Sequence, residues 1–373
     1  MSEHLYTLAL QRILFNHTNA ATVIYDRAGS ATAVYENRNS LADILPDSTD
    51  NLRRLVSTDW SEHLKWAEKE MEWCREKSID ILTPNDDKYP KRLTTCEDAP
   101  IALFFRGTAN LNTPHAISIV GTRQSTPYGH DVIHRLLNDL KSKVPDLLVV
   151  SGLAYGIDIC AHRESLACGL DTVGVLAHGL DTIYPAMHRK TAIEMLSHGG
   201  LLTEYASHAH VDRQNFLRRN RIVAGACDAC LIIQSKAHGG SLVTARLAND
   251  YSRQVFAVPG RIGDDVSEGC NNIIKRQQAC MLTSADDIID ALGWITEEKQ
   301  QEKRAKGIEP QLFPALNAEQ KLIADALADA DMQINTLCAK TGIAISKLSA
   351  MLFDMELNGM IKPLPGGMYH LIL

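Results

Sequence analysis

Ala116-Ile117-Ser118-Ile119-Val120-Gly121-Thr122-Arg123-Gln124-Ser125-Thr126 decides the fold of this chain. A nearly unbroken apolar run enters a turn of glycine, hydroxyl and guanidinium groups, and a helix-like segment follows from about Tyr128. A run of this kind leaves no face for solvent, so it belongs to a strand covered on both sides. Similar runs recur at 147–150, 172–177, 200–203, 229–233 and 255–258, with helical stretches between them. Strands alternating with helices predict an α/β fold built on a doubly wound, mainly parallel sheet.

The flanks read differently. Residues 1–60 carry short helical patterns with polar breaks at 16–19 and 27–30, which predicts a small helical domain. Trp60, Leu64, Ala67, Met71 and Cys74 fall at helical spacing and predict an amphipathic core helix. The α/β domain is placed at 61–294. Glu297-Glu298-Lys299-Gln300-Gln301-Glu302-Lys303-Arg304, followed by Pro310 and Pro314, predicts a solvated linker over 295–316. Residues 317–373 show three helical segments and then a hairpin around Pro365-Gly366-Gly367, the order of a winged helix.

Composition narrows the function. The 373 residues carry a net charge of -7, so a site for a polyanion must be a local patch. Nine cysteines, an odd number, read as free thiols in a reducing cytoplasm. Cys227-Asp228-Ala229-Cys230 has CxxC spacing but leads straight into an apolar run, and a buried structural role is expected. Met1-Ser2-Glu3-His4 lacks the features of a signal peptide, and no apolar run approaches the roughly 18 residues that span a bilayer. No membrane association is expected.

The local patch is Phe216-Leu217-Arg218-Arg219-Asn220-Arg221. Arginine neutralises phosphate as a forked donor, and an aromatic face stacks a base without reading its identity. Phe216, Arg219 and Arg221 are the expected contacts, and Arg218 is expected on the solvated surface. In a doubly wound sheet ligands bind beyond the carboxyl ends of the strands. Four such ends are rich in small residues: 119–126, 150–158, 203–205 leading to Arg213, and 238–246. Together with the arginines they describe a rim suited to a chain of phosphates.

Enzyme signatures are missing. The first βα turn is not GxGxxG, and there is no P-loop, HExxH or convincing GxSxG elbow. Asp158 and His162 share a helix face and read as a cap or salt bridge. Asp181 and Glu204 read as hydrogen-bonding supports. No catalytic residue, metal or cofactor is expected.

The motifs also resemble a known family. Gly121-Thr122-Arg123, Ser151-Gly152-Leu153-Ala154-Tyr155-Gly156-Ile157-Asp158 with Ala161-His162, and Gly179-Leu180-Asp181 with Tyr184-Pro185 are similar to the DNA-processing protein DprA (Smf) family. So are Phe216 with Arg219-Asn220-Arg221-Ile222, Gly240-Ser241-Leu242-Val243-Thr244-Ala245-Arg246, Ala257-Val258-Pro259-Gly260 and Ser267-Glu268-Gly269-Cys270-Asn271. The resemblance implies an extended Rossmann-like domain that binds single-stranded DNA and dimerises. It implies loading of the RecA recombinase onto DNA in natural transformation, and no catalytic activity. It implies a sterile-alpha or helix-hairpin-helix-like N-terminal domain and a winged helix at the other end. Carried over by motif, Arg123 contacts phosphate, with Gly121 and Thr122 donating from backbone and hydroxyl. Phe216 packs on a base or sugar, Arg219 and Arg221 hold the backbone, and Asn220 braces them. Arg213 serves the same pocket, and Gly240, Ser241 and Thr244 close the rim. The chain departs from the pattern at Gln234-Ser235, where Glu-Ala is common.

Two other readings remain open from the residues alone. One is a Rossmann-like glycosidase of nucleoside monophosphates, with Glu204 as its carboxylate. The other is a winged-helix transcriptional regulator, although the recognition helix over 344–356 carries a single Lys and two acids.

Overall fold

Each of the six apolar runs forms a strand of one large sheet. The computed structural model describes residues 2–44, 46, 48–209, 211–294, 316–328 and 330–372. The expected linker falls almost wholly outside the described residues. In chain order the first elements are α1 Glu3–Ile13, α2 Thr18–Ala28, α3 Ala31–Glu36, α4 Leu41–Ile44, α5 Asp50–Val56 and α6 Ser61–Glu76. Next come β1 Asp80–Leu82, β2 Leu103–Gly107, β3 Ala116–Val120, α7 Pro127–Lys143, β4 Leu148–Ser151, α8 Ile157–Cys168, β5 Asp171–Val175, α9 Arg189–Met195 and β6 Gly199–Thr203. The α/β part continues through α10 Arg213–Gly225, β7 Ala229–Ile232, α11 Ser241–Asp250, β8 Gln254–Ala257, α12 Glu268–Lys275, β9 Cys280–Met281 and α13 Ala285–Leu292. The last elements are α14 Ala318–Leu327, β10 Met332–Gln333, α15 Ile334–Thr341, α16 Ile345–Leu357, β11 Ile361–Leu364 and β12 Met368–Leu371.

Among the described residues the large sheet has nine strands in the order β1-β2-β6-β5-β4-β3-β7-β8-β9. Strands β3 to β9 pair in parallel, while β1 and β2 extend the sheet antiparallel from β6. Alternation along each strand feeds two cores. Ile117 and Ile119 of β3 pack with Ile133 and Leu137 of α7 and Ile288 of α13 on one face. Ala116 and Val120 pack with Ile222 and Ala224 of α10 and Ala248 of α11 on the other. That is the period of two expected for strands covered on both faces. Strand β3 lies between β4 and β7, and the order of strands reverses there, so a crevice opens at the carboxyl ends of β3 and β7.

The N-terminal helices share a core with α6 and the first strands. Leu8, Ile24 and Tyr25 cluster with Trp60, Ala67, Cys74 and Phe104. The 60–74 stripe is therefore core, and the helix it lies on packs against α1 as well as β1. At the other end, α14 to α16 and the three-stranded β10-β12-β11 sheet enclose Leu337, Leu348, Leu352 and Met355 in a separate winged-helix core. All nine cysteines are free thiols. Cys227 and Cys230 are buried, and burial pushes Cys227 up to about 11. Among the described residues no single helix is long and apolar enough to cross a membrane.

Candidate nucleic-acid interface

The crevice beyond β3 and β7 is an open cleft of about 1050 Å³. Its first wall is the turn after β3. Gly121 is required for packing: a Cβ there would meet Ile157 at 2.5 Å. Gly156, at φ +75°, brings the next βα turn against it, where any Cβ would lie 2.2 Å from the Thr122 carbonyl. The Thr122 N–H is spent on the Gln234 carbonyl at 2.8 Å, and the Thr122 Oγ1 accepts from Gln124 N–H at 3.2 Å. The hydroxyl hydrogen of Thr122 remains to donate. Arg123 is exposed at the mouth. The departure at Gln234 has a structural use. Its buried amide accepts from Thr126 N–H at 3.0 Å and donates to Thr126 Oγ1 at 2.9 Å, fixing the start of α7.

The second wall is α10. Asp212 caps it, accepting from Gln214 N–H at 3.1 Å. Arg213, Phe216, Arg219 and Asn220 lie three and four residues apart and all line the cleft. The Phe216 ring lies 5.7 Å below the Arg123 guanidinium and 5.8 Å from the Tyr184 ring, edge to face. Arg219 is deeper. It is 4% exposed and its Nη1 donates to the carbonyls of Gly152 and Val175. Burial lowers its pKa, and the charge of Asp158 works the other way.

The opposite face of α10 overturns two expectations. Arg221 does not reach the cleft. It is 5% exposed and its Nη2 is bonded to Glu204, with Asp98 3.9 Å from its Nε. Burial opposes its charge, but Glu204 and Asp98 outweigh that and raise its pKa. Five residues past Phe216, the helix has turned this side chain into the core. Arg218 is not solvated surface either. It donates to the Phe15 carbonyl at 3.2 Å and Asn16 Oδ1 at 3.1 Å, with its guanidinium 4.6 Å over the Phe15 ring. Glu204, the carboxylate that a glycosidase would need, is 4% exposed and is not among the residues lining the cleft.

The third wall is the N-terminus of α11. Gly240 is exposed, Ser241 and Thr244 are buried, and all three line the cleft. Ser241 Oγ donates to Ser235 Oγ at 2.8 Å. Tyr184, Lys236 and His238 also line the cleft and were not singled out from the sequence as contacts. Lys236 sits four residues past the end of β7, in the turn that leads to α11, and that position is the signal for it. No group of His, Cys, Asp and Glu among the described residues could hold a metal ion. Exposed guanidinium and ammonium groups, an aromatic pair and a helix N-terminus in one groove suit a phosphodiester chain with unstacked bases.

Comparison with known proteins agrees. Residues 80–293 match the family model for DNA recombination-mediator protein A, and residues 309–367 match the DprA winged helix domain. The chain is 33% identical over 308 residues to a putative DNA processing protein DprA of Mycobacterium tuberculosis, covering 77% of this chain and 75% of that protein. The X-ray structure of DNA processing protein A from Streptococcus pneumoniae superimposes with a TM-score of 0.61 at 28% identity, covering 76% of this chain and 97% of that one. DNA processing protein A from Helicobacter pylori, described for its single-stranded DNA binding mode, gives 0.52 at 30% identity, covering 59% and 97%. The chain belongs to the DNA processing protein A (DprA, Smf) family.

Proposed function

We propose that this protein binds single-stranded DNA without regard to sequence, in the cleft beyond β3 and β7. The observation that carries the reading is the convergence of Arg123, Phe216, Arg213 and Lys236 on one groove at the switch point of the sheet. Arg123 and Arg213 meet phosphates at the mouth, Phe216 stacks a base, and Gly240, Ser241 and Thr244 close the far side. Arg219 and Asn220 shape the floor. Arg221 acts only through the fold. The single-stranded DNA binding of the Helicobacter pylori relative supports carrying this ligand over. Family membership supports three extensions: protection of incoming strands, their delivery to the RecA recombinase in natural transformation, and a homodimer through the Rossmann-like domain. A reducing cytoplasm suits nine free thiols.

Among the described residues the two carboxylates that line the cleft, Asp158 and Asp212, both accept from backbone N–H groups that fix local turns, which favours a binding protein. Lys347, the one basic residue of α16, is held by Glu319 at 2.6 Å, which leaves that helix poorly equipped to read a major groove. Fluorescence anisotropy with labelled oligothymidine at low salt tests the proposal. Saturable binding that weakens as salt rises is expected; no binding would overturn it.

A further inference from the structure

The floor of the cleft holds an acid, of the wrong sign for phosphate when ionised: burial raises its pKa, while Arg219 and two backbone N–H groups work the other way. Asp158 lies in the first turn of α8, is 6% exposed, and lines the cleft beside Arg123 and Arg219. Its Oδ2 accepts from Gly152 N–H at 3.1 Å and Ala154 N–H at 3.4 Å, which secures the turn. Its Oδ1 takes no hydrogen bond from the described residues. Arg219, also more than nine-tenths buried, has an Nε without a partner. The floor thus carries an unused acceptor, and the half-buried Phe216 ring lines the same cleft. A carboxylate so placed repels a phosphate oxygen and calls for an N–H donor.

A nucleobase edge supplies that donor. Every base carries at least one N–H on its Watson–Crick edge: adenine N6, cytosine N4, guanine N1 and N2, thymine N3. Each has an acceptor beside it, and single-strand recognition commonly reads this edge. In a duplex the same N–H groups are taken by pairing.

We infer that Asp158 Oδ1 accepts the Watson–Crick N–H of one unpaired base, inserted edge-first past Phe216 while the phosphates follow Arg123 and Arg213. The inference rests on the single-strand reading and deepens it. An acceptor that all four bases satisfy, and that no paired base satisfies, separates single from double strands without separating sequences.

The test uses the full chain and two labelled strands of equal length. One is oligothymidine. In the other, thymine is replaced by difluorotoluene, which keeps its shape and the phosphates but has no N–H. A hydrogen bond to a charged group predicts about tenfold weaker binding of the second strand. Asp158→Ala removes the acceptor and puts no donor in its place, so the two strands should then bind about equally. Asp158→Ser, too short to reach the base, gives the same comparison if the alanine variant does not fold. Equal binding of both strands by the wild-type chain overturns the inference and leaves single-strand binding standing. Tenfold discrimination persisting in the variant overturns the role of Asp158. Failure to bind either strand overturns the single-strand reading itself.

Discussion

Arg221 and Glu204 form a buried ion pair that ties the cleft-lining helix α10 to the end of β6. Removing one partner leaves the other charged and dry, which costs about 3–5 kcal/mol. Arg221→Ala should therefore lower the melting temperature sharply. Any loss of DNA affinity should track the fraction unfolded. Melting by circular dichroism beside binding at a temperature where the variant is folded separates the two effects.

Arg123→Ala should behave in the opposite way. Its side chain is exposed, lies over the Phe216 ring and makes no salt bridge among the described residues. Stability should stay within about 0.5 kcal/mol. Binding should weaken for all sequences alike, and the slope of log K against log salt should fall by about 0.7, the value of one phosphate on a single strand. An unchanged slope would remove Arg123 from the phosphate path.

Phe216→Ala tests stacking. The loss of one base contact is worth about 1–3 kcal/mol of binding, while the salt slope should not move. Isothermal titration over several salt concentrations reads both quantities.

The N-terminal helices should matter to binding without touching DNA. Buried Glu70 of α6 accepts from Ser207 N–H at 2.7 Å and Ser207 Oγ at 2.6 Å, just ahead of α10. Arg218 grips the end of α1 from the other side. Glu70→Gln combined with Arg218→Ala should raise Kd several-fold with the salt slope retained, because the cations that line the cleft remain and only their placement is lost. A reduced slope would make Arg218 a phosphate contact instead.

His162 sets a pH dependence of stability. It is fully buried, with Nδ1 2.7 Å from Thr172 Oγ1, and burial, then the charges of Arg219 and His188, lower its pKa from 6.5 to about 3. Between those values the unfolded chain binds the proton and the folded chain does not. Stability therefore falls as pH is lowered through that window and is regained as pH rises. Urea midpoints at about pH 7 and about pH 5 should differ in that sense, and His162→Gln should narrow the difference.

The sheet was legible because its strands are continuous apolar runs, and that signal is local. The antiparallel pair β1 and β2 was not, because Phe104 and Phe105 declare themselves only by pairing with β6 a hundred residues later. The arginine cluster was half legible. Its charges were plain, but their directions depend on helical phase and on partners distant in sequence. Spacing of three and four groups Arg213 with Phe216, Arg219 and Asn220, and it also groups Arg218 with Arg221. Only the fold reveals that the second group faces Phe15 and Glu204.

Three neighbouring arginines of α10 thus serve three separate customers: the turn after β4, the first helix, and the end of β6. An α-helix turns about 100° per residue. One residue inserted or deleted between Asp212 and Arg218 would rotate the arginines out of register with every partner at once. This segment can change by substitution, one contact at a time, but its length is frozen.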